Sequence, residues 1–543
     1  MIALPSKWAI ALCSASLFAL ASAPTAQVPD VIVYDIGVDG GNTNDIAYWG
    51  QSGGIAAYSI ATQSCNKGTA TLQWITAGGS ALHPVIGQNM FRYKNGRFEH
   101  VGQSWLKHGF CAVNEIETFC APCQTTPCDS LGIGCADTYW ATLNDGGGGQ
   151  SKANINATQG SHVHGGAPSG NATIRGRLQV AVTDIDPAQN VGAQYFIEGQ
   201  YVTRDETLIG NAANSASWRR VSVLAVSNID GGGPTHREEP ALWAWRNQDP
   251  LVEIKLIKNQ ETGGLQTFFL LGWRVTQVGG GMWHYEYAIQ NLNSDQSAGS
   301  FSVPVDTATT VNSIGFHDVA YHSGDPYDGT DWPGAKIGGE IRWATTPFGT
   351  NANANAIRWG TIYNFRFDAS VAPVPGTVTI GLFKTGPNTS IAMDNVLVPG
   401  GDPRTIDPHT GGGLGSAGNP TSGGTMFPAS VTIPRMGLRV NPVALSERKP
   451  ALIGQTWEAA LELDGARHSV LFIGLGGPTE GTFNRMGEVL IRPPLLRGQL
   501  DDLTLAIPDD PRLIGVTFSA QAALRTESGW KLTNALDVTI GSN

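Results

Sequence analysis

Short runs of apolar residues recur along most of the chain, and Gly, Pro, Asn and Asp separate them. Within the runs, β-branched and aromatic residues alternate with polar ones, which is typical of half-buried β-strands. The clearest runs are 31–36, 71–75, 177–185, 194–202, 219–227, 251–257, 267–278, 282–292, 361–369 and 377–383. Amphipathic helical patterns are scarce, with a weak candidate at 451–463. Many strands without intervening helices predict an all-β protein of β-sandwich or jelly-roll-like domains.

A Gly- and Pro-rich stretch divides the chain and is predicted to be a linker, because it has no apolar period. The segment after it has the pattern and length of one β-sandwich. A softer division is placed near residue 180, which gives two or three sandwich domains. The predicted organisation is a leader over 1–26, a Cys-rich β domain over 27–180, a β-sandwich over 181–398, the linker over 399–426 and a C-terminal sandwich over 427–543.

The N-terminus has the three-part pattern of a secretory signal peptide. Lys7 precedes an apolar run from Trp8 to about Leu20, and small residues then offer cleavage sites after Ala21 or Ala23. Pro24 would follow a cut after Ala23, so a cut after Ala21 or Ala26 fits better. No later segment is apolar over the 18 or more residues that a spanning helix needs. We therefore expect a protein that is secreted or held at the cell surface, with no membrane span in the mature chain.

Cysteine usage agrees with export. Cys13 lies in the leader, and the other six all lie before residue 136. An even number of cysteines in an exported chain predicts disulfides that staple the N-terminal part, although spacing does not select the pairs. A zinc site around the C-x-x-C at Cys120 and Cys123 is the less favoured alternative, because no second C-x-x-C follows. The six are Cys65, Cys111, Cys120, Cys123, Cys128 and Cys135.

Composition narrows the function classes. The net charge of −11 excludes the basic surface of a typical nucleic-acid-binding protein. Charged residues make up 15% and hydrophobic residues 41%, which argues against a disordered chain. The 15 Trp and 12 Tyr residues, together with export, favour an extracellular polymer as partner, most plausibly a polysaccharide.

The densest polar cluster is GFHDVAYHSGDPYDGTDW at 315–332. If it begins as a strand, alternation places Asp318 and His322 on one face, and His317 and Tyr321 on the other. These four residues are candidates for an acid–base site, because histidine titrates near neutral pH and can move protons. The alternative is a strand end whose histidine is bonded to a neighbouring aspartate.

Metal ligands are expected in two places. Asp325, Asp328 and Asp331 form an oxygen-rich turn that suits Ca²⁺, unless it is simply solvated. In SHVHGG, His162 and His164 share a face when extended, and H-x-H is a common half-site for copper or zinc. Such a transition-metal site needs a third ligand, for which His322, His108 and His83 are the candidates. A flexible polar loop is the alternative.

The strand MWHYEYAIQN separates two kinds of side chain. Trp283, Tyr285 and Tyr287 lie on one face, and His284 and Glu286 lie on the other. The aromatic face is either core or a platform on which sugar rings stack, and it gives the candidate ligand-binding residues.

Several strings support a family resemblance. VIVYDIG, YWGQSGGIAAYSIATQSCNKG, HPVIGQNMFRYKNGRFEHVGQSWLKHGF, WHYEYAIQNLNSDQSAGSFSVPV, IGFHDVAYHSG and NANAIRWGTIYNFRFDA resemble a family of uncharacterised exported bacterial β-rich proteins, over about 30–370. IPDDPRLIGVTFSAQAAL and LTNALDVTIG resemble a tail module found on many exported bacterial proteins. The resemblance implies export and β architecture, and it implies no particular activity.

Three functions remain open. The first is a secreted protein that binds an extracellular polymer, most plausibly a polysaccharide. The second is a secreted, metal-dependent lyase or hydrolase that degrades such a polymer through the His/Asp/Tyr site. The third is a structural protein of the cell surface. The cofactor expected is either Ca²⁺ or a histidine-bound transition metal.

Overall fold

A computed structural model describes residues 28–37, 46–116, 120–146, 149–163 and 170–401, and a series of strands between 431 and 540. Strands account for 52% of the structure and helices for 6%, so the predicted all-β class is confirmed. The predicted leader and most of the predicted linker lie outside the described residues. No helix among the described residues is both long and apolar enough to cross a bilayer.

The first unit is built on a nine-stranded sheet with the order β16-β15-β14-β6-β7-β13-β3-β2, in which β8 also pairs with β6. A three-stranded sheet of order β1-β4-β10 packs against it through a shared apolar core. The strands are β1 Val31–Ile36, β2 Ile46–Ser52, β3 Ile55–Ile60, β4 Thr62–Asn66, β5 Leu72–Gln73, β6 Val85–Lys94, β7 Arg97–Gln103, β8 Lys107–His108, β9 Ser130–Leu131, β10 Ala136–Tyr139, β11 Ile155–Asn156, β12 Ser161–His162, β13 Leu178–Ala181, β14 Gln194–Val202, β15 Ala216–Ala225 and β16 Asn228–His236.

The predicted division near residue 180 is wrong. Strand β14 pairs along its whole length with β6, from Gln194 opposite Tyr93 to Val202 opposite Val85. Residues on both sides of 180 therefore belong to one sheet, and the first unit continues to the end of β16. The sequence pattern missed this because a long-range strand pair leaves no mark on local periodicity.

The second unit is a sandwich of two five-stranded sheets, with orders β17-β18-β19-β24-β21 and β22-β23-β20-β25-β26. Its strands are β17 Glu253–Gln260, β18 Gln266–Gly279, β19 Met282–Asn291, β20 Ala298–Pro304, β21 Val311–His317, β22 Gly334–Ile337, β23 Glu340–Ala344, β24 Thr361–Ala369, β25 Ala372–Leu382 and β26 Ser390–Gly401. The inward faces of both sheets form one large apolar cluster. This alternation of apolar and polar positions is the one that the sequence predicted for the region.

The aromatic face of β19 belongs to that core. Trp283, Tyr285 and Tyr287 are fully buried, and the two tyrosine hydroxyls donate to the carbonyls of Val371 and Leu397 at 3.0 and 2.6 Å. A sugar ring cannot stack on these rings without separating the two sheets. The expectation that they bind a ligand is therefore corrected, and the alternative that they are core fits the structure.

The C-terminal strands form a five-stranded sheet of order β27-β36-β35-β30-β33, a three-stranded sheet of order β28-β29-β34 and the pair β31-β32. The strands are β27 Val431–Arg435, β28 Leu445–Lys449, β29 Thr456–Leu461, β30 His468–Gly474, β31 Pro478–Asn484, β32 Gly487–Ile491, β33 Leu495–Gln499, β34 Thr504–Ala506, β35 Thr517–Thr526 and β36 Gly529–Thr539. The weak helix expected at 451–463 is wrong, because β29 occupies much of it. Its Trp457 is buried in a core with residues such as Leu536. The burial of apolar side chains therefore decides the local structure here, and the weak helical pattern of the sequence does not.

Helices are few and short among the described residues. They are α1 Val182–Ile185, α2 Arg204–Thr207 and α3 Leu242–Gln248, with 3₁₀ turns at Ala77–Gly79, Lys152–Asn154 and Thr262–Gly264. The predicted strand 177–185 is half right, since β13 ends at Ala181 and α1 follows. Helix α3 packs with strands of both units in one cluster that includes Trp245, Phe98 and Phe268. The first two units thus share apolar core.

Two disulfides staple the first unit, as the sequence predicted for its cysteines. Cys65 on β4 is bonded to Cys120, with Cα atoms 5.8 Å apart. Cys123 is bonded to Cys135, with Cα atoms 4.3 Å apart. Because Ala136 pairs with Cys65 in the sheet, both bonds tie the 120–135 loop to the same strand pair.

The polar face of β19 holds a charged group with a consequence for stability. His284 Nδ1 lies 2.6 Å from Asp368 Oδ1, and its Nε2 lies 3.2 Å from Glu286 Oε2. Burial lowers the pKa of His284, but the hydrogen bonds to Glu286 and Asp368 outweigh it and raise the pKa above its usual value. Protonated His284 therefore stabilises the fold below about pH 6.5, and this contribution disappears as the pH rises through the folded-state pKa.

We expect His284→Gln to lower the free energy of unfolding by roughly 1 kcal/mol at pH 5.5, because charge-assisted hydrogen bonds are lost. The difference from wild type should shrink as the pH rises through the folded-state pKa of His284, because the ring then becomes neutral. Urea unfolding at a series of pH values from 5.5 upwards measures this difference. A loss of stability that is equal at every pH would show that protonation of His284 does not stabilise the fold.

Candidate metal centre

Three histidines from separate segments of the first unit meet at one end of the nine-stranded sheet. His83 lies two residues before β6 begins at Val85. Strand β8 pairs with β6 and sets His108 opposite Val85. The hairpin β11–β12 sets His162 opposite Ile155. Backbone pairing, and not closeness in sequence, thus brings the three rings together.

The three imidazole rings are arranged as in a metal site. Nitrogen atoms of His83, His108 and His162 all lie within 4.8 Å of one another. Nε2 of His83 is 2.9 Å from Nδ1 of His108 and 3.2 Å from Nε2 of His162. Two nitrogens bound to tetrahedral Zn²⁺ at 2.0–2.1 Å would be roughly 3.3 Å apart. The observed separations are therefore close to those that a bound ion requires.

A backbone carbonyl orients the central ring. His83 Nδ1 lies 3.1 Å from the carbonyl oxygen of Ile75, which can only accept a hydrogen bond. In the neutral ring the proton is then on Nδ1, so that the lone pair of Nε2 faces the other two histidines. A carbonyl that accepts the second N–H is the usual outer partner of a metal-binding histidine, because it fixes the tautomer and the ring orientation.

The surroundings of the cluster are largely apolar. His83 and His162 are 3% and 8% exposed, whereas His108 is half-buried. Beside them lies an apolar cluster that includes Val85, Ile155 and Trp359. The metal-ligand group formed by the described residues contains no carboxylate. A divalent ion held by neutral imidazoles would keep its full double charge, which favours an anionic or easily ionised fourth ligand.

Sequence reasoning named part of this cluster. His162 is in it, and so are His83 and His108, two of the three candidates for a further ligand. His164 lies outside the described residues. His83 and His108 carried no motif of their own, so only the pairing of β8 with β6 could have distinguished them from isolated histidines.

His322 is not part of the cluster. Its ring packs on Trp105, with centroids 5.1 Å apart, and its Nδ1 lies 2.8 Å from the carbonyl oxygen of Ser323. Burial lowers the pKa of His322 to about 4. The expectation that it joins His162 as a metal ligand is therefore corrected.

The four candidate acid–base residues do not converge. Strand β21 ends at His317, so the alternation assumed for Asp318 and His322 does not hold. His317 is near Glu99 and Asp184 of the first unit, and burial lowers its pKa although both carboxylates oppose the shift. Asp318 and Tyr321 instead belong to a different, internal network. The predicted His/Asp/Tyr catalytic site is corrected on this geometry.

That network is closed among buried side chains. Tyr321 and Tyr363 have hydroxyl oxygens 2.8 Å apart, and the Tyr363 hydroxyl donates to Asn355 Oδ1 at 2.5 Å. The Asn355 amide in turn donates to Asp318. Its partners are supplied from within the fold, which is the pattern of a structural network.

The acidic turn does not gather around an ion. Asp325 is half-buried and accepts a hydrogen bond from Ser151 Oγ at 2.5 Å. Asp328 is exposed and accepts from the backbone and hydroxyl of Thr330 at 2.9 and 2.6 Å, while Asp331 is also exposed. Among the described residues, the group with metal-ligand geometry consists of the three histidines and not of these carboxylates. The expected Ca²⁺ site is corrected accordingly.

Comparison with known proteins adds no identity. Neither the models of known protein families nor the curated proteins match this chain. The resemblance to exported bacterial β-rich proteins therefore stays a prediction, and function is argued from the site.

Asp318 gives a test of its structural role. Burial raises its pKa to about 6, although the hydrogen bond from Asn355 lowers it. The unfolded chain therefore loses this proton first, and Asp318 makes stability fall as the pH rises from about 4 to 6.

We expect Asp318→Asn to remove this pH dependence, because the amide stays neutral and still offers an oxygen to Asn355. At pH 7 the variant should be more stable than wild type by roughly 2 kcal/mol. Denaturant unfolding between pH 4 and 7 measures the two curves. Parallel curves would contradict a buried, proton-binding Asp318.

Proposed function

We propose that the protein is a zinc-dependent hydrolytic enzyme of the extracellular space, with His83, His108 and His162 as the metal ligands. The observation that carries the proposal is the meeting of three imidazole nitrogens within 4.8 Å. Three protein ligands leave the fourth position of a tetrahedral zinc open for water or substrate, whereas structural zinc sites use four protein ligands.

The chemistry of this centre follows from its ligand set. Bound Zn²⁺ lowers the pKa of a coordinated water to about 7, which supplies hydroxide at neutral pH. The carbonyl of Ile75 orients His83 for binding. His108 is the least buried of the three histidines, and we propose that substrate enters on its side.

Polysaccharide is the substrate class that the sequence favours, and it stays part of the proposal. The predicted leader supports export, and the disulfides Cys65–Cys120 and Cys123–Cys135 are typical of an oxidising compartment. A histidine centre without carboxylates also suits substrates with acidic groups, because the bound ion keeps its positive charge.

The metal is the first quantity to measure. Full-length protein, exported into medium with trace metals and purified without chelator, should contain about one zinc per chain. His162→Gln should weaken zinc binding at least about 100-fold, because losing even an outer partner of a ligand costs 10–100-fold. Elemental analysis and zinc titration measure both, and the hydrolysis of acidic polysaccharides should be lost in parallel.

Asp318→Asn is the matched control, because it removes a residue of the competing His/Asp/Tyr site and leaves the three histidines intact. Its zinc content and activity should equal those of wild type. A wild-type protein that takes up no zinc would refute the metal centre. Activity that survives in His162→Gln but not in Asp318→Asn would place the chemistry at the other site.

Polymer binding without catalysis is the second candidate, and a surface groove favours it. The groove lies at the edge of the nine-stranded sheet and is lined in part by Tyr48, Gln51, Asp186 and Leu224. Tyr48 is half-exposed and packs on Tyr58, with ring centroids 5.6 Å apart. An aromatic ring beside an amide and a carboxylate provides both stacking and hydrogen bonds, as ligand sites do.

We expect Tyr48→Ala to weaken the retention of a bound polysaccharide at least about fivefold, because stacking on the ring is worth roughly 1 kcal/mol. A glycan array followed by affinity electrophoresis measures it, with His162→Gln as the control that leaves the groove intact. If His162→Gln abolishes retention and Tyr48→Ala does not, the groove is not the binding site.

A further inference from the structure

Among the described residues, two cysteines remain after the disulfides Cys65–Cys120 and Cys123–Cys135. Cys111 and Cys128 are both exposed, and the side chain of Cys128 lies close enough to raise the pKa of the Cys111 thiol. The backbone brings the two segments together as well, because the Ala112 N–H donates to the carbonyl of Cys128 at 2.9 Å. The backbone hydrogen bond and the effect of Cys128 on the Cys111 thiol both indicate that the two cysteines lie side by side.

We propose that Cys111 and Cys128 form a third, reversible disulfide, and that this bond holds the segment that carries the zinc ligand His108. The crosslink itself needs no metal. Its effect on the metal centre rests on the proposed function.

The backbone at Cys111 is consistent with such a constraint. Its φ is 35°, in the left-handed region that residues other than Gly, Asn and Asp seldom adopt. A conformation of this kind persists only where the surrounding structure enforces it. The hydrogen bond from Ala112 to Cys128 holds the segment while both cysteines are free, and a covalent bond from Cys111 would add to this constraint.

The same segment carries His108. Two residues separate His108 from Cys111. One of them, Phe110, is held by the Tyr139 hydroxyl, which accepts from its N–H and donates to its carbonyl at 2.8 Å each. On the other side, the Val113 N–H donates to Asp137 at 2.7 Å. A bond at Cys111 would fix the stretch between these two anchors, which directly follows the strand that carries His108.

Exposure distinguishes this pair from the other two. Cys65 and Cys135 are fully buried, so each established disulfide has one inaccessible sulfur. Both sulfurs of the Cys111–Cys128 pair can be reached by a thiolate from solvent. Exposed disulfides are the ones that exchange readily, so mild reduction should select this bond.

The reaction is a thiol–disulfide exchange in both directions. In oxidation, the thiolate of one cysteine attacks a disulfide donor, and the second cysteine then displaces it to form the Cys111–Cys128 bond. The donor's S–S bond breaks and it leaves as two thiols, having taken up two electrons and two protons. In reduction, an external dithiol supplies two electrons and two protons to the Cys111–Cys128 bond and is itself oxidised to a disulfide.

Peptide mapping tests the crosslink. Full-length protein exported to an oxidising compartment is alkylated without reduction, digested and analysed by mass spectrometry. We expect no alkylated cysteine and a linked pair of peptides that contain Cys111 and Cys128. After mild reduction of the native protein, these two should be alkylated at least tenfold faster than the other four. Complete alkylation of both without reduction, or a disulfide-linked dimer on a non-reducing gel, would overturn the proposal.

Zinc titration tests the consequence for the metal centre. Mildly reduced protein and the Cys111→Ser/Cys128→Ser variant should both bind zinc about tenfold more weakly than the oxidised protein. Asp318→Asn, tested oxidised and reduced, should show the same ratio as wild type. Equal zinc affinity in both redox states would overturn the link to His108. Absence of zinc binding in every sample, together with the linked peptides, would refute the proposed function and leave the disulfide established.

Discussion

The pairing of strand β6 is the constraint on which the rest of the first unit depends. It pairs with β14 along its full length, with β7 on the other side, and with the short β8 near its beginning. Each of these contacts is antiparallel and fixes a register. Because a slip of one residue would turn every side chain to the opposite face, β6 determines both which residues form the core and which meet at its N-terminal end.

The cluster of His83, His108 and His162 is a product of this arrangement. His83 precedes β6, and His108 lies directly opposite its first residue, Val85. A site built at strand ends is held by the ladder of backbone hydrogen bonds, so the cost of ordering the ligands is already met when the sheet forms.

Local patterns were sufficient for much of the fold. The strands at 31–36, 194–202 and 361–369 were predicted with the bounds that the structure gives, since alternating β-branched and aromatic residues identify a half-buried strand by themselves. The separation of faces along β19 followed from the same period. The stapling of the N-terminal part followed from the number of cysteines and the predicted export.

Non-local features escaped the sequence for a physical reason. His83 and His162 are 79 residues apart in the sequence, and no local pattern in either segment indicates that the two side chains meet. The polar cluster at 315–332 looked denser and more informative, yet β21 ends at His317 and its side chains turn in different directions. A dense run of polar residues in the sequence therefore did not form one site in the fold. The three histidines that do meet are brought together by the pairing of strands, which the sequence does not show.

A buried lysine, Lys152, helps to fix the position of His162. Lys152 lies in the turn before β11, between the Gln150 that pairs with Leu106 and the hairpin that carries His162. Its ammonium donates to Gln103 and Asn89 of the central strands at 3.1 and 3.3 Å. Burial lowers the pKa of Lys152 to about 8, so a charge that is costly to bury is retained at neutral pH. The nearby carboxylates of Asp325 and Glu198 oppose this shift and help to compensate the buried charge. The position is better explained by what it does to the hairpin: it ties the turn before β11 to the strands β6 and β7, and so keeps His162 facing the other two histidines.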